Sequence, residues 1–138
     1  MSAGFIVDAS VGFAWVCQSQ ATPETDHLLN EVGAGAVGIV PALWFLEMSN
    51  VLLMAQRRHR LTAGERKAAM EKLSALQLTV DDEGARHAFG KISELAEKYG
   101  LTIYDATYLE LALRRSLPLA SRDEALKNAA KQCGLKVL

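Results

Sequence analysis

Leu101-Thr102-Ile103-Tyr104-Asp105-Ala106-Thr107-Tyr108-Leu109-Glu110-Leu111-Ala112 begins one residue past Gly100, a natural helix stop. The stretch carries its own helix start, Thr102 as N-cap with Asp105 three residues on. Asp105, Tyr108, Leu109 and Ala112 fall at i, i+3, i+4 and i+7, so they share one helical face. A single carboxylate therefore heads a face that is otherwise apolar. Such a group is costly unless it caps the helix, reaching back to the Thr102 N–H, or meets a cation. The stretch alone leaves both readings open.

Upstream, Phe5-Ile6-Val7 is a short apolar run that stops at Asp8, as expected of a parallel strand covered on both faces. Asp8-Ala9-Ser10 turns into a helix from Val11 to about Gln18. Thr22-Pro23-Glu24 opens a second helix, with proline at its first position and an acid in its first turn; the helix ends at Gly33. Val37 to Pro41 reads as a strand, followed by a long helix from about Ala42 to Arg58 with Glu47 at the edge of its apolar face.

Thr62-Ala63-Gly64-Glu65 is a capping box for a helix to about Ala75, and Leu76 to Val80 alternates as a strand. Asp81 or Asp82 is expected to cap a helix through Ala88, Ile92, Leu95 and Ala96, ending at Gly100. Beyond the opening stretch, Leu117 to Ala120 is a strand. Ser121-Arg122-Asp123-Glu124 reads as a further capping box for a helix to about Gln132, and Gly134 to Leu138 is a last short strand. Strands alternate with helices, which predicts an α/β fold with a mainly parallel sheet of four or five strands, a single domain over residues 1–138.

Composition narrows the function classes. Half the residues are hydrophobic, enough for a real core. Cys17 and Cys133 lie far apart, and the three histidines have no ligand spacing, so neither a disulfide framework nor zinc is expected, which fits a reducing cytoplasm. The N-terminus lacks the basic start of a signal peptide, and the uncharged run Val32–Leu46 is too short and too rich in glycine to span a bilayer, so no membrane role is expected. The net charge is −1, but residues 1–56 hold no Lys or Arg and five acids, while all 15 basic residues follow. That asymmetry leaves room for a basic face toward a polyanion, though an ordinary solvated surface explains it equally well.

Four carboxylates stand out by position: Asp8, Glu47, Asp105 and Asp123, each at a strand-to-helix junction or on a helix face expected to be buried. In open parallel sheets ligands bind beyond the carboxyl ends of strands, where Asp8 and Asp123 both sit. Clustered carboxylates repel, so such a group needs protonation or a cation. All-oxygen ligation suits Mg²⁺ or Mn²⁺, which would assist phosphodiester hydrolysis. Capping remains the alternative for Asp105 and Asp123.

These segments, Ile6-Val7-Asp8-Ala9-Ser10, Glu47-Met48-Ser49-Asn50-Val51-Leu52, Tyr104–Ala112 and Ser121-Arg122-Asp123, resemble the four acidic motifs of PIN-domain nucleases, in order and over almost the whole chain. The resemblance is nearest to VapC-like toxins of toxin–antitoxin pairs. It implies a PIN fold and a Mg²⁺- or Mn²⁺-dependent endoribonuclease acting on RNA. It makes Asp8 and Asp105 the principal metal ligands, with Glu47 and Asp123 completing the pocket directly or through water. Ser10, Asn50 and Ser121 would orient the ligands by hydrogen bonds. It further implies a cognate antitoxin and a homodimer. Two other readings compete. One is a non-catalytic RNA- or protein-binding PIN-like module. The other is a phosphotransfer domain with a strand-end aspartate as acceptor, although Asp8 lacks the D-x-D pattern of one such fold.

Overall fold

The computed structural model describes residues 4–138. Four strands, β1 (Phe5–Val7), β2 (Gly38–Pro41), β3 (Leu78–Asp81) and β4 (Leu119–Ala120), form a wholly parallel sheet in the order β3-β2-β1-β4. Among the described residues, seven helices flank it: α1 (Ala9–Val16), α2 (Pro23–Gly33), α3 (Leu43–Arg57), α4 (Ala63–Ala75), α5 (Lys91–Tyr99), α6 (Ile103–Arg115) and α7 (Glu124–Gln132). Every residue of β1 and β2 is buried, so both faces of the sheet centre are covered, as the apolar runs required. Helix α6 lies across β1, β2 and β4 with α5 and α7 beside it, while α1, α2, α3 and α4 pack against one another as a second group.

The strand order places the site. From β1 the chain moves outward to β2 and β3, then returns to add β4 on the other side of β1. The carboxyl ends of β1 and β4 thus flank the point where strand order reverses, the crevice in which open parallel sheets bind ligands. Gly12 lets α1 and α3 close beside that crevice. A Cβ at position 12 would lie 2.6 Å from Trp44 Cζ2 and 2.9 Å from Met48 Sδ, so only glycine fits.

Several local expectations are revised. Asp8 itself caps α1, which begins at Ala9 and ends at Val16 before a 3-10 turn, Gln18–Gln20. The helix expected after Asp81 is broken: a 3-10 turn at Gly84–His87 precedes Gly90, whose backbone leaves the helical region, and α5 starts only at Lys91. Asp81 caps nothing, because its carboxylate is bound by Arg114 and Arg115. The N-cap of α7 is Asp123 rather than Ser121. The last expected strand is reduced to one bridge, Val137 to Leu119.

Candidate active site

The crevice between β1 and β4 holds Asp8, only 4% exposed. Its backbone N–H continues the sheet to the Ala120 carbonyl, and its own carbonyl accepts from Trp44 Nε1 at 3.2 Å. Oδ1 accepts from the Val11 N–H at 3.1 Å, as an N-cap does, and from Ser10 Oγ at 2.6 Å; Oδ2 accepts from Ser121 Oγ at 2.5 Å. The two hydroxyls are themselves fixed. Ser10 Oγ accepts from the Arg122 N–H at 2.8 Å, and Ser121 Oγ accepts from the Asp123 N–H at 3.0 Å. Both oxygens of Asp8 are therefore held, one by the first turn of α1 and the other by the residue after β4.

Glu47 approaches from α3, half-buried, and its Oε1 accepts from the phenol of Tyr108 at 2.5 Å. Asp105 stands in the first turn of α6. Thr102 caps that helix by accepting from the Asp105 N–H, but the reciprocal bond of a capping box is not formed. The carboxylate of Asp105 instead lines the pocket, so the capping reading fails at this residue. Asp123 both caps α7, through the Leu126 N–H at 2.9 Å, and lines the pocket. All four predicted acids thus border one cavity of about 470 Å³, together with Ser10, Gln20, Tyr108 and Arg122. Ser121 touches the site through Asp8. Asn50 is exposed, lies outside the lining, and makes no hydrogen bond to any of the four acids.

The electrostatics follow from burial. Burial pushes the Asp8 carboxyl above its ordinary range; its hydrogen bonds from Ser10, Ser121 and Val11 oppose this, and the charge of Asp123 adds to it. Glu47 is raised by burial and by the charges of Asp105 and Asp8, against the bond from Tyr108. Asp105 is raised by burial, then by Asp123 and Asp8, with Thr102 opposing. Burial and the bond to Glu47 push the Tyr108 phenol far up, so it stays a donor. Among the described residues, Arg122 is the one cationic side chain of the lining.

This donor set fits a hard divalent cation: it is all oxygen, mutually repelling and short of positive charge. The acids surround the cavity rather than closing on one point. Among the described residues, no three His, Cys, Asp or Glu side chains are gathered closely enough to hold an ion between them. A divalent ion that keeps several waters and takes only one or two carboxylates directly does not need three gathered side chains.

A pH dependence follows. A carboxyl raised in the folded state lowers stability above its folded pKa, so metal-free stability rises as pH falls from neutral toward about 4. Asp81 behaves oppositely. Arg114 holds it down to about 2, so the stability it contributes is present above the unfolded pKa near 4 and is lost as pH falls toward 2. Thermal melting in chelator should therefore show its maximum on the acid side of neutrality. A midpoint falling steadily from about pH 7 to about pH 5 contradicts this.

Three contributors were not singled out in the sequence as site residues. Tyr108 shares the helical face of Asp105 one turn on, and that spacing was the available signal. Trp44 and Arg122 gave none, because their partners lie 36 and 102 residues away.

The PIN domain family model matches residues 5–132. No curated protein matches the chain in sequence. Among solved structures, PAE2754 from Pyrobaculum aerophilum is similar with a TM-score of 0.71 at 23% identity, over 99% of this chain and 92% of that one. A chain of VapBC2 from Rickettsia felis, bound to a DNA fragment from their promoter, gives 0.67 at 10% identity, over 98% and 97%. FitAcB from Neisseria gonorrhoeae gives 0.65 at 17% identity, over 97% and 96%. At these identities the likeness is one of fold.

Proposed function

This chain belongs to the PIN-domain family, and from that membership we propose that it is a Mg²⁺- or Mn²⁺-dependent endoribonuclease, the toxin of a toxin–antitoxin pair. The observation that carries the proposal is the meeting of Asp8, Glu47, Asp105 and Asp123 around one cavity at the carboxyl edge of the sheet. Asp8 and Asp105 are assigned as principal metal ligands, with Glu47 and Asp123 acting directly or through water. A bound divalent ion supplies Lewis-acid activation of the phosphodiester and of the attacking water. The chain's own part is to hold the acids. Ser10 and Ser121 fix the two oxygens of Asp8, Tyr108 fixes Glu47, and the helix starts of α6 and α7 fix Asp105 and Asp123. The phosphotransfer reading is disfavoured, since both oxygens of buried Asp8 already accept hydroxyl hydrogens. The expected result is RNA cleavage in Mg²⁺ or Mn²⁺ that stops in excess chelator. Cleavage that persists in chelator sinks the mechanism.

The toxin reading rests on the resemblance to VapC-like proteins and on the similarity to VapBC2, which is bound to promoter DNA in its structure. Expression of the chain alone should arrest growth, and co-expression with the small protein encoded next to it should relieve the arrest through a complex that survives purification. A harmless chain with no co-purifying neighbour removes the toxin reading and leaves the nuclease one. A homodimer is proposed on the same basis. Phe45 and Leu46 of α3, with Leu46 73% exposed, supply unpartnered apolar surface. Sedimentation showing only a species of 15.0 kDa at micromolar concentration overturns it.

A further inference from the structure

Four carboxylates around a cavity repel the phosphodiester they are proposed to cleave, and an ion answers only part of that charge. Arg122 lies on the lining, yet it forms no ion pair with any of the four acids or with any other described residue. An arginine at the mouth of a negative cavity is expected to fold onto an acid. Here two restraints keep it off. Its backbone N–H is tied to Ser10 Oγ at 2.8 Å. Its Nη1 donates to the Gln20 carbonyl at 2.7 Å, and more weakly to Gln20 Oε1 at 3.5 Å, across the mouth on the turn after α1. Nε and Nη2 have no protein acceptor among the described residues, and the side chain is exposed. One edge of a planar fork is thus anchored while the other remains open, and such an edge matches two oxygens of a phosphate.

We infer that Arg122 is a substrate-binding residue whose open guanidinium edge takes a backbone phosphate of the RNA at the mouth of the acidic cavity. This rests on the nuclease reading for the identity of the ligand. The anchor to Gln20 has a definite purpose in this arrangement: it stops the guanidinium from collapsing onto Asp105 or Asp123, where it would compete with the ion.

The test separates charge from anchoring. Arg122→Gln keeps a donor for the Gln20 carbonyl without charge, Arg122→Lys keeps charge without the fork, and Arg122→Ala keeps neither. Binding of a labelled single-stranded RNA oligonucleotide is measured in Ca²⁺ over a range of salt, alongside Mn²⁺ affinity and thermal midpoint. Arg122→Ala and Arg122→Gln should each raise Kd by about tenfold and lower the salt slope by about one, with Arg122→Lys recovering part of both. Mn²⁺ affinity should be equal or tighter in the uncharged variants, which a merely structural role does not produce. The inference is overturned if Arg122→Gln binds RNA as the native chain does, or if the native chain does not bind RNA. Charge-dependent binding without cleavage in Mg²⁺ or Mn²⁺ removes the nuclease reading while supporting this one.

Discussion

Asp8→Asn and Asp105→Asn, made singly, are expected to lower RNA cleavage by at least about a thousandfold while leaving the chain folded. The size follows from what a divalent ion contributes, several kcal/mol of transition-state stabilisation at about 1.4 kcal/mol per tenfold. Either change removes a charge from the proposed ligand set but little volume. At Asp8 the cap survives, because Asn is as good an N-cap as Asp and can still accept from the Val11 N–H. Ser10 and Ser121 can accommodate an amide, since a hydroxyl both donates and accepts. The charge that is lost was unfavourable: burial and neighbouring acids hold Asp8 and Asp105 above the ordinary carboxylate range. Metal-free thermal midpoints should accordingly stay level or rise.

The metal response should separate the variants from the native chain. An ion at about a hundred times its Kd stabilises a folded protein by about 2.7 kcal/mol. The native chain should therefore gain in melting temperature with Mg²⁺ or Mn²⁺, and the two variants should gain much less. A variant that loses activity together with metal-free stability would point to a folding defect instead. A variant that keeps cleavage would remove that acid from the metal site.

The two changes also probe how far the sequence could be read. Asp8 was legible because an apolar run of three residues ended on it, and the rule about strand ends gave its direction. Asp105 was legible as an acid on an apolar face, though capping was the favoured reading of the stretch alone; the side chain instead lines the pocket. Asp123 proved to be both cap and pocket residue, a combination that a choice between alternatives did not contain. The hydroxyl of Ser121 was a cap by local pattern and an orienting group by the family resemblance; it holds Asp8, since helix α7 starts two residues later than the T/S-x-x-E pattern suggests. Tyr108 to Glu47 spans 61 residues, and Arg122 to Gln20 spans 102. No local pattern carries such pairs, because strand order and helix packing bring them together. The break at Gly90 was missed for a different reason: the apolar spacing through Ala88 and Ile92 is helical, and one glycine overrides it.

The largest effect on stability is expected away from the pocket, at Arg114→Ala. Arg114 sits in the last turn of α6 and forks onto Asp81 at the end of β3, with bonds of 2.8 and 2.9 Å to its two oxygens. The same guanidinium reaches back to Glu110 at 2.7 and 3.1 Å. Asp81 and Glu110 are 2% and 3% exposed. Removing the arginine leaves both carboxylates buried, with only Arg115 among the described residues, at 3.1 Å, still on Asp81. Breaking a buried pair from one side costs about 3–5 kcal/mol, mostly because the remaining charge has no partner. Arg114→Lys should recover only part, since an ammonium cannot fork onto both acids. The loss should also depend on pH in a set direction. Arg114 holds Asp81 down to about 2, so the stability it lends through Asp81 is present above the unfolded value near 4 and fades as pH falls toward 2. Urea midpoints for Arg114→Ala and the native chain should lie far apart at neutral pH and converge in acid. A gap below about 1 kcal/mol at neutral pH would place this pair with exposed ion pairs, whose contribution is small. A gap that does not narrow in acid would mean that the cost comes from lost packing of the arginine stem rather than from its charge.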